Sequence, residues 1–104
     1  DAKDEIEKML SLLISMLNDA LTVYMTHDYA MYEKVMQDEN YMDLLEYEAR
    51  QNHFKRIASE KCSASVAGSV YCDILGNIER MGDHTCNIVR KVVKKLEIAN
   101  PNQE

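Results

Sequence analysis

Apolar residues recur at helical spacing along almost the whole chain, and few residues interrupt that pattern. The 104 residues include a single proline, Pro101, and only three glycines. Proline and glycine are the residues that most disfavour a helix interior, whereas the plentiful Leu, Met, Glu and Lys favour it. The sequence therefore predicts an all-α fold, and its length predicts one domain rather than two.

Three segments carry the helical spacing, and they predict helices over about residues 4–25, 28–59 and 64–97. In the first, the predicted core residues are Ile6, Leu10, Leu13, Leu17, Ala20, Leu21 and Tyr24. In the second, they are Met31, Val35, Met42, Leu45, Ala49 and Ile57. In the third, they are Ala67, Val70, Ile74, Ile78, Met81, Thr85, Ile88, Val92 and Leu96.

Short polar joints separate these segments. The first joint is Thr26–Asp28, in which Asp28 can cap the second helix, and the second joint is Ser59–Ser63. Short joints between long helices make neighbours antiparallel, so we predict an up-down-up three-helix bundle. The first residue is Asp rather than Met, and we expect the chain to be a fragment of a longer protein.

Charge and cysteine content narrow the partners and the compartment. The net charge is −6 without a clustered basic face, which argues against nucleic acid as a partner. No apolar run approaches the length of a membrane span and no signal peptide is present, so we expect no direct membrane insertion. The three cysteines include no CxxC pair, and Cys72 and Cys86 would lie about 20 Å apart on one helix. These features favour a reduced, cytoplasmic setting.

Acidic side chains are spaced by four residues at two places in the chain. Glu79, Asp83 and Asn87 present three oxygen-bearing side chains on one helical face, and Glu39 and Asp43 repeat the spacing. In a hairpin centred on Lys61, Glu39 faces Asp83 and Asp43 faces Glu79, because each pair is equidistant from the turn. Four carboxylates at one level repel each other unless cations or protons neutralise them.

Two interpretations of this coincidence remain open. The four acids form a metal site in a groove between the second and third helices, outside the core, or they belong to a solvated face. Hard carboxylate oxygens accept Mg, Ca, Mn, Fe and Zn, so the residues do not choose the metal. We interpret Asp38 and Glu46 as solvated acids. The groove side of the third helix also carries Gly68, Gly76 and Gly82, which suggests close approach by a helix, an ion cluster or a partner.

Enzyme classes have less support in the sequence. Di-metal oxidases and hydrolases on helical bundles use Glu-x-x-His pairs, and neither His53 nor His84 has that spacing. No nucleophile elbow, P-loop or dinucleotide fingerprint occurs. We therefore expect no catalytic activity. Met and Tyr residues outside the periodic stripes suggest docking or self-association, including a homodimer.

The run from Glu79 to Ile88 resembles the ER-hydrophobic-GDH-xx-NI signature of PhoU domains, the regulators of bacterial phosphate uptake. Glu39-x-x-x-Asp43 is similar to the first of that family's paired E(D)xxxD motifs. The segments 53–57 and 67–75 resemble the version fused to sodium/phosphate cotransporters. The resemblance covers most of residues 30–92.

This resemblance implies a three-helix repeat with an iron or zinc site held by Glu39, Asp43, Glu79 and Asp83. Asn87 and His84 would be outer partners, although His84 fits a surface histidine without a role equally well. The implied function is a regulatory or docking domain on the cytoplasmic face of the inner membrane, attached to the membrane part of a phosphate transporter. The alternatives are a metal-independent helical adaptor and one repeat of a soluble PhoU regulator.

Overall fold

The computed structural model describes residues 2–58 and 66–95, and this part of the chain is built from three long α-helices. Helix α1 spans Ala2–Thr26, α2 spans Tyr29–Ala58 and α3 spans Val66–Lys95. Each helix contacts the other two, and no strand occurs in the described residues. The all-α three-helix prediction is confirmed; the ends predicted at residues 59, 64 and 97 lie outside the described residues.

The joint between α1 and α2 is a two-residue turn with a cap on each side. The His27 N–H donates to the Val23 carbonyl at 2.8 Å, which closes α1 with His27 in the left-handed region at a φ of 58°. The Asp28 carboxylate then accepts from the N–H groups of Ala30 (2.9 Å) and Met31 (3.4 Å). Asp28 thus caps α2 as predicted, and the chain reverses direction within two residues.

We expect His27→Gly to stabilise the protein by about 1 kcal/mol. A side chain in the left-handed conformation places its Cβ too close to the backbone, and glycine removes that strain. His27 is exposed, so little packing is lost. Chemical denaturation measures the change; His27→Ala is the matched control and should give no comparable gain.

Contacts at both ends of the bundle fix the direction of the helices. Lys34 near the start of α2 pairs with Asp19 near the end of α1. At the other end, Glu5 of α1 accepts hydrogen bonds from Arg56 of α2 at 2.9 Å and from Tyr71 of α3 at 2.7 Å. Helix α2 is therefore antiparallel to α1 and α3, which run parallel to each other.

Glu5 joins all three helices through one carboxylate. Asn52 also donates to it at 2.8 Å. Burial alone would raise the pKa of Glu5, but hydrogen bonds from Tyr71, Asn52 and Arg56, with the charge of Arg56, outweigh burial and lower the pKa. Burial and the bond to Glu5 raise the pKa of Tyr71 to about 12, so its hydroxyl keeps the proton that it donates.

We expect Tyr71→Phe to destabilise the protein by about 1 kcal/mol, the usual net value of a hydrogen bond to a partly buried acceptor. The change keeps the ring, which packs on His53 with centroids 4.9 Å apart. Thermal unfolding measures the loss. Tyr47→Phe is the control, because Tyr47 is 60% exposed; an equal loss there would contradict a specific role for the bond.

The core lies along the axis between the helices, and α2 faces it with the predicted residues. Val35, Met42, Leu45 and Ala49 are buried. Two further residues of α2, Glu39 and His53, are buried among these apolar side chains. The predicted core stripe of α2 is therefore confirmed in its middle.

The predicted core stripes of α1 and α3 are only partly right, because several of the predicted residues lie about a quarter of a helical turn away from the core. The α1 residues that face the core are Met9, Leu13, Met16, Ala20 and Val23. Those of α3 are Tyr71, Leu75, Ile78, Gly82, Thr85, Cys86 and Val89. Of the predicted residues whose side chains are described, Leu13, Ala20, Ile78 and Thr85 are buried, and Ile6, Ile74 and Val92 pack half-buried against the core. The side chains of Ala67 and Leu96 lie outside the described part of the structure.

Eight apolar side chains of α1 and α3 that do not face the core form a second, exposed surface, which we call the α1/α3 face. On α1 it consists of Leu10, Ile14, Leu17, Leu21 and Tyr24, which are 38–59% exposed. On α3 it consists of Val70, Met81 and Ile88, which are 44–56% exposed. Each helix thus carries two adjacent apolar stripes, and periodicity alone does not tell which stripe faces the bundle.

The second stripe also makes α1 unusually apolar. By length and composition α1 could cross a membrane, since an 18-residue window has a mean hydropathy of 1.3, and only 22% of that window is buried in the bundle. This corrects the expectation that no segment approaches the character of a membrane span. Such a window is also typical of a helix that buries one face in its own bundle and another against a partner.

Candidate metal centre

Three carboxylates from two helices meet on the α2/α3 side of the bundle. One oxygen from each of Glu39, Asp43 and Asp83 lies within 4.8 Å of the others. Glu39 and Asp43 are one turn apart on α2, and Asp83 approaches both from α3. The antiparallel register therefore brings together three of the four acids that the sequence singled out.

Glu39 does not lie in an open groove, as the sequence analysis expected. Its side chain is only 7% exposed, whereas Asp43 and Asp83 are exposed. The physical reason is its position: Val35, Glu39 and Met42 follow each other at spacings of four and three, so Glu39 belongs to the core stripe of α2. The cluster consequently extends from the core to the surface.

Both oxygens of Glu39 are buried without a hydrogen-bond partner among the described residues. A buried polar atom without a partner costs about 1–3 kcal/mol, and more if it is charged. Native structures rarely contain such atoms unless a water, an ion or a function accounts for them. This unsatisfied carboxylate is the strongest indication that the cluster receives a ligand.

Gly82 provides the room for this carboxylate on α3. A Cβ at that position would lie 2.8 Å from Oε2 of Glu39 and 3.9 Å from the Met16 methyl group. Any side chain would therefore displace the carboxylate or the helix. The close approach that the sequence suggested for the glycines is confirmed at Gly82, and the approaching group is Glu39.

The cluster perturbs the protonation of its members. Burial raises the pKa of Glu39 to about 8, followed by the hydrogen bond that its protonated form can donate to Asp83 and by the charges of Asp83 and Asp43. The pKa of Asp43 is raised by burial and by the charges of Asp83 and Glu46. At neutral pH the site without a cation therefore holds a proton, chiefly on Glu39.

Glu79, the fourth predicted ligand, lies outside the three-carboxylate cluster. Burial raises the pKa of Glu79, and the charge of Glu46 and a hydrogen bond with Glu46 raise it further. Glu46 is half-buried and also forms an ion pair with Arg50, which corrects its interpretation as a solvated acid. Sequence reasoning missed Glu46 because its partner on α3, Glu79, is not at the same height in the expected register. Together Glu46 and Glu79 form a second acidic pair beside the cluster.

The expected outer partners of the site, Asn87 and His84, both lie at the protein surface. Asn87 is exposed and accepts a hydrogen bond from Arg90 at 2.9 Å, while His84 is exposed. Cys86 is buried next to Glu39, and burial together with the Glu39 charge raises the pKa of its thiol to about 12. The three side chains that come together are all carboxylates, so the site offers oxygen donors.

This donor set suits a hard or borderline cation. Ligand oxygens within 4.8 Å of one another can surround one ion at the 2.0–2.6 Å bond lengths that are typical of Zn²⁺ and Ca²⁺. The oxygens would then lie roughly on opposite sides of the ion or at right angles to each other. An ion would also satisfy Glu39 and cancel the repulsion among the three carboxylates. The residues present therefore fit a metal ion.

Fold and site together define a small helical bundle with a carboxylate cluster bridging two antiparallel helices. Comparison with protein families identifies residues 6–92 as a PhoU domain. This match covers most of the chain and includes all three carboxylates of the cluster, and the chain belongs to the PhoU domain family. Its family is regulatory rather than catalytic and is associated with phosphate transport. Neither a curated protein nor a solved structure shows significant similarity to the chain.

Proposed function

We propose that this chain is the metal-binding regulatory domain of a phosphate transport protein of the sodium/phosphate cotransporter type, at the cytoplasmic face of the membrane. The family match supports regulation of phosphate transport. Resemblance of segments 53–57 and 67–75 to the cotransporter-fused version motivates the finer assignment. The observation that carries the metal half is the buried, unpartnered carboxylate of Glu39.

Glu39, Asp43 and Asp83 are the proposed ligands. Iron or zinc is the metal that the family resemblance implies, and carboxylate oxygens would also accept Mn²⁺, Mg²⁺ or Ca²⁺. Glu79 and Glu46 would add negative charge beside the bound ion, and they could contact a second ion. Asn87 and His84 have less support as outer partners, because Asn87 already pairs with Arg90.

The bound ion would act by joining α2 to α3. Without it, two turns of α2 and two of α3 face each other with like charges, which weakens their packing. With it, the same side chains become a cross-link between the two helices. Occupancy of the site would therefore change the stability of the α2/α3 pair, and this change is what the membrane part of the protein could sense.

A metal-independent adaptor is the second candidate, and the α1/α3 face favours it. Eight large apolar side chains are exposed there, which suits docking of another protein. One repeat of a soluble PhoU regulator is compatible with the same features. We do not expect catalysis, so metal-loaded protein should turn over neither a phosphoester nor oxygen.

Asp83→Asn should abolish stabilisation by metal. At an ion concentration one hundred times the Kd, a single site adds about 2.7 kcal/mol, which corresponds to a Tm increase of roughly 10 °C for a domain of this size. Thermal unfolding with Zn²⁺, Mn²⁺ or Fe²⁺, after treatment with a chelator, measures this increase. Asp73→Asn is the matched control, because Asp73 is an exposed acid of α3 outside the cluster.

The same two variants test regulation in the full-length parent protein. Phosphate uptake should lose its normal control with Asp83→Asn and keep it with Asp73→Asn. A Tm that does not respond to any of the three ions would refute the metal site and favour the adaptor. A metal response without any effect on uptake would refute the regulatory role.

A further inference from the structure

The α1/α3 face is an apolar surface that the bundle itself does not cover. Its residues belong to the two long helices α1 and α3 rather than to a loop. It lies on the side of α3 away from Asp83, so the inference drawn from it is independent of the proposed metal site.

The α1 part of this face has the spacing of a helix-packing stripe. Leu10, Ile14, Leu17, Leu21 and Tyr24 follow each other at spacings of four and three residues. The buried residues Met9, Leu13, Met16, Ala20 and Val23 repeat the same spacings one position earlier. Alternating spacings of three and four keep an apolar stripe in line with a neighbouring helix. Helix α1 thus has two apolar sides suited to helix packing. The bundle, through α2 and α3, covers only the side that carries the buried residues.

The size of the face matches a protein interface. At about 100 Å² for each half-exposed large apolar side chain, the eight residues offer on the order of 800 Å². Each partner in a standard protein interface contributes roughly 800 Å², whereas the largest apolar patch on a typical monomer is ~300–600 Å². The face is therefore large enough for a stable dimer.

We propose that the α1/α3 face binds a second copy of this chain, with α1 packed antiparallel against α1 of the other copy about a two-fold axis. A two-fold interface must complement itself, so a charge at one end must meet its opposite from the other end. Lys91 and Lys95 flank Tyr24 and Ile88 at one end, around a shallow apolar recess of about 310 Å³.

The other end of the face is acidic at the matching position. Glu7 lies three residues before Leu10 and so continues the outer stripe of α1. Antiparallel packing centred between Ile14 and Leu17 places Glu7 of one copy at the level of Tyr24 of the other. It therefore brings Glu7 close to Lys91, and the symmetry repeats this pair at the opposite end.

Charge also favours a second copy of the chain over a lipid surface as the partner of this face. Helices that lie on membranes carry mostly Lys and Arg on their polar side, which attract anionic lipids. The whole chain has a net charge of −6, and α1 contains no basic residue in its last turn. A bilayer would meet apolar side chains and the lysines Lys91 and Lys95 at one end of the face, but the acidic Glu7 at the other. A second copy supplies both apolar contact and the opposite charge at each end.

Ile14→Glu and Leu21→Glu test the proposal, and sedimentation equilibrium measures it. Both side chains are almost 60% exposed, so the bundle itself should fold, which circular dichroism checks. At about 100 μM the wild-type chain should have twice its monomer mass of 12.0 kDa, and each variant should be monomeric. This concentration lies well above the micromolar Kd of the weaker interfaces of this size. Leu44→Glu is the matched control, since Leu44 is a 49% exposed leucine of α2 outside the face, and it should remain dimeric.

Two outcomes would overturn the proposal. One is a monomeric wild-type chain throughout the concentration range, and the other is a dimer that tolerates both glutamates. Binding of a monomeric wild-type chain to neutral phosphatidylcholine vesicles, lost in Ile14→Glu, would assign the face to lipid instead.

Charge reversal tests the antiparallel arrangement. Lys91→Glu should weaken dimerisation roughly tenfold, because the symmetry doubles the effect of each exposed pair, and adding Glu7→Lys should restore it. If dissociation of the Lys91→Glu variant equals that of the wild type, or if the double variant is not restored, the copies pack in another orientation.

Discussion

At pH 8, replacing Glu39 with Gln should stabilise the metal-free protein by about 2–3 kcal/mol. Burial and two neighbouring carboxylates raise the pKa of Glu39 to about 8, so the folded protein penalises its charged form. Glutamine has nearly the same shape and remains neutral at every pH. Its amide can also donate to Asp43 and Asp83. The expected gain is smaller than the full pKa change implies, because those two acids keep contact with water.

The pH dependence of stability should change in the same variant. Between about pH 4.5 and 8 the folded wild-type protein keeps a proton that the unfolded chain releases. Protonated Glu39 therefore contributes its full share to the free energy of unfolding below pH 4.5. This share declines as the pH rises and is lost above pH 8. Asp43 and Glu79, whose pKa values are also raised, add to the decline in wild type and variant alike.

Urea denaturation of the chelator-treated proteins at intervals from pH 5 to pH 9 measures both effects. Wild type and Glu39→Gln should have similar stability at pH 5 and should diverge as the pH rises. Glu48→Gln, at an exposed position of the same helix, is the control and should follow the wild type. Parallel curves for wild type and Glu39→Gln would contradict a protonated, buried Glu39.

Gly82→Ala should destabilise the metal-free protein by about 1–2 kcal/mol and weaken metal binding at least tenfold. The new methyl group would lie 2.8 Å from Oε2 of Glu39, so the carboxylate must leave its place beside Asp43 and Asp83. Glu39 is flexible enough to move, and the bundle should therefore still fold. What is lost is the position of the ligand oxygen rather than the fold.

Gly76→Ala provides the matched control on the same helix. A Cβ there would lie 3.7 Å from Nη2 of Arg50, which is an ordinary contact. The substitution should therefore show only the higher helix propensity of alanine, a gain of about 0.5–1 kcal/mol. Denaturation should show a loss of stability for Gly82→Ala and a gain for Gly76→Ala, and metal titration should show weaker binding only for Gly82→Ala. Equal effects at both positions would contradict the special role of Gly82.

Much of the fold could be predicted because this chain contains few residues that interrupt helices. The polar joint at Thr26–Asp28 separated the first two predicted helices, and Asp28 proved to be a cap. The core faces of α1 and α3 could not be predicted fully, because each helix carries further apolar residues at helical spacing beside those that face the core. Leu17 and Met16 are both apolar neighbours on α1, yet Met16 is fully buried beside Gly82 of α3 and Leu17 is 46% exposed.

The candidate site was predictable to the same degree as the register. The predicted register, with residues paired at equal distances from the turn, correctly brought Asp83 to Glu39 and Asp43. In the structure Glu79 interacts with Glu46 rather than joining the other three acids. The burial of Glu39 was missed, although its spacing from Val35 and Met42 already indicates the core face. An acid within an apolar stripe was therefore the signal that could have found the buried ligand.

The most direct test of the account is calorimetric titration of the metal-free protein with Zn²⁺ at pH 7, in two buffers that differ in ionisation enthalpy. We predict a saturable site whose occupation releases about one proton from Glu39, since a metal ligand must be deprotonated. Glu39→Gln should bind at least tenfold more weakly and release no such proton. Equal affinity and equal proton release in the two proteins would show that Glu39 does not bind the ion, and the absence of any saturable binding to the wild type would contradict the metal site itself.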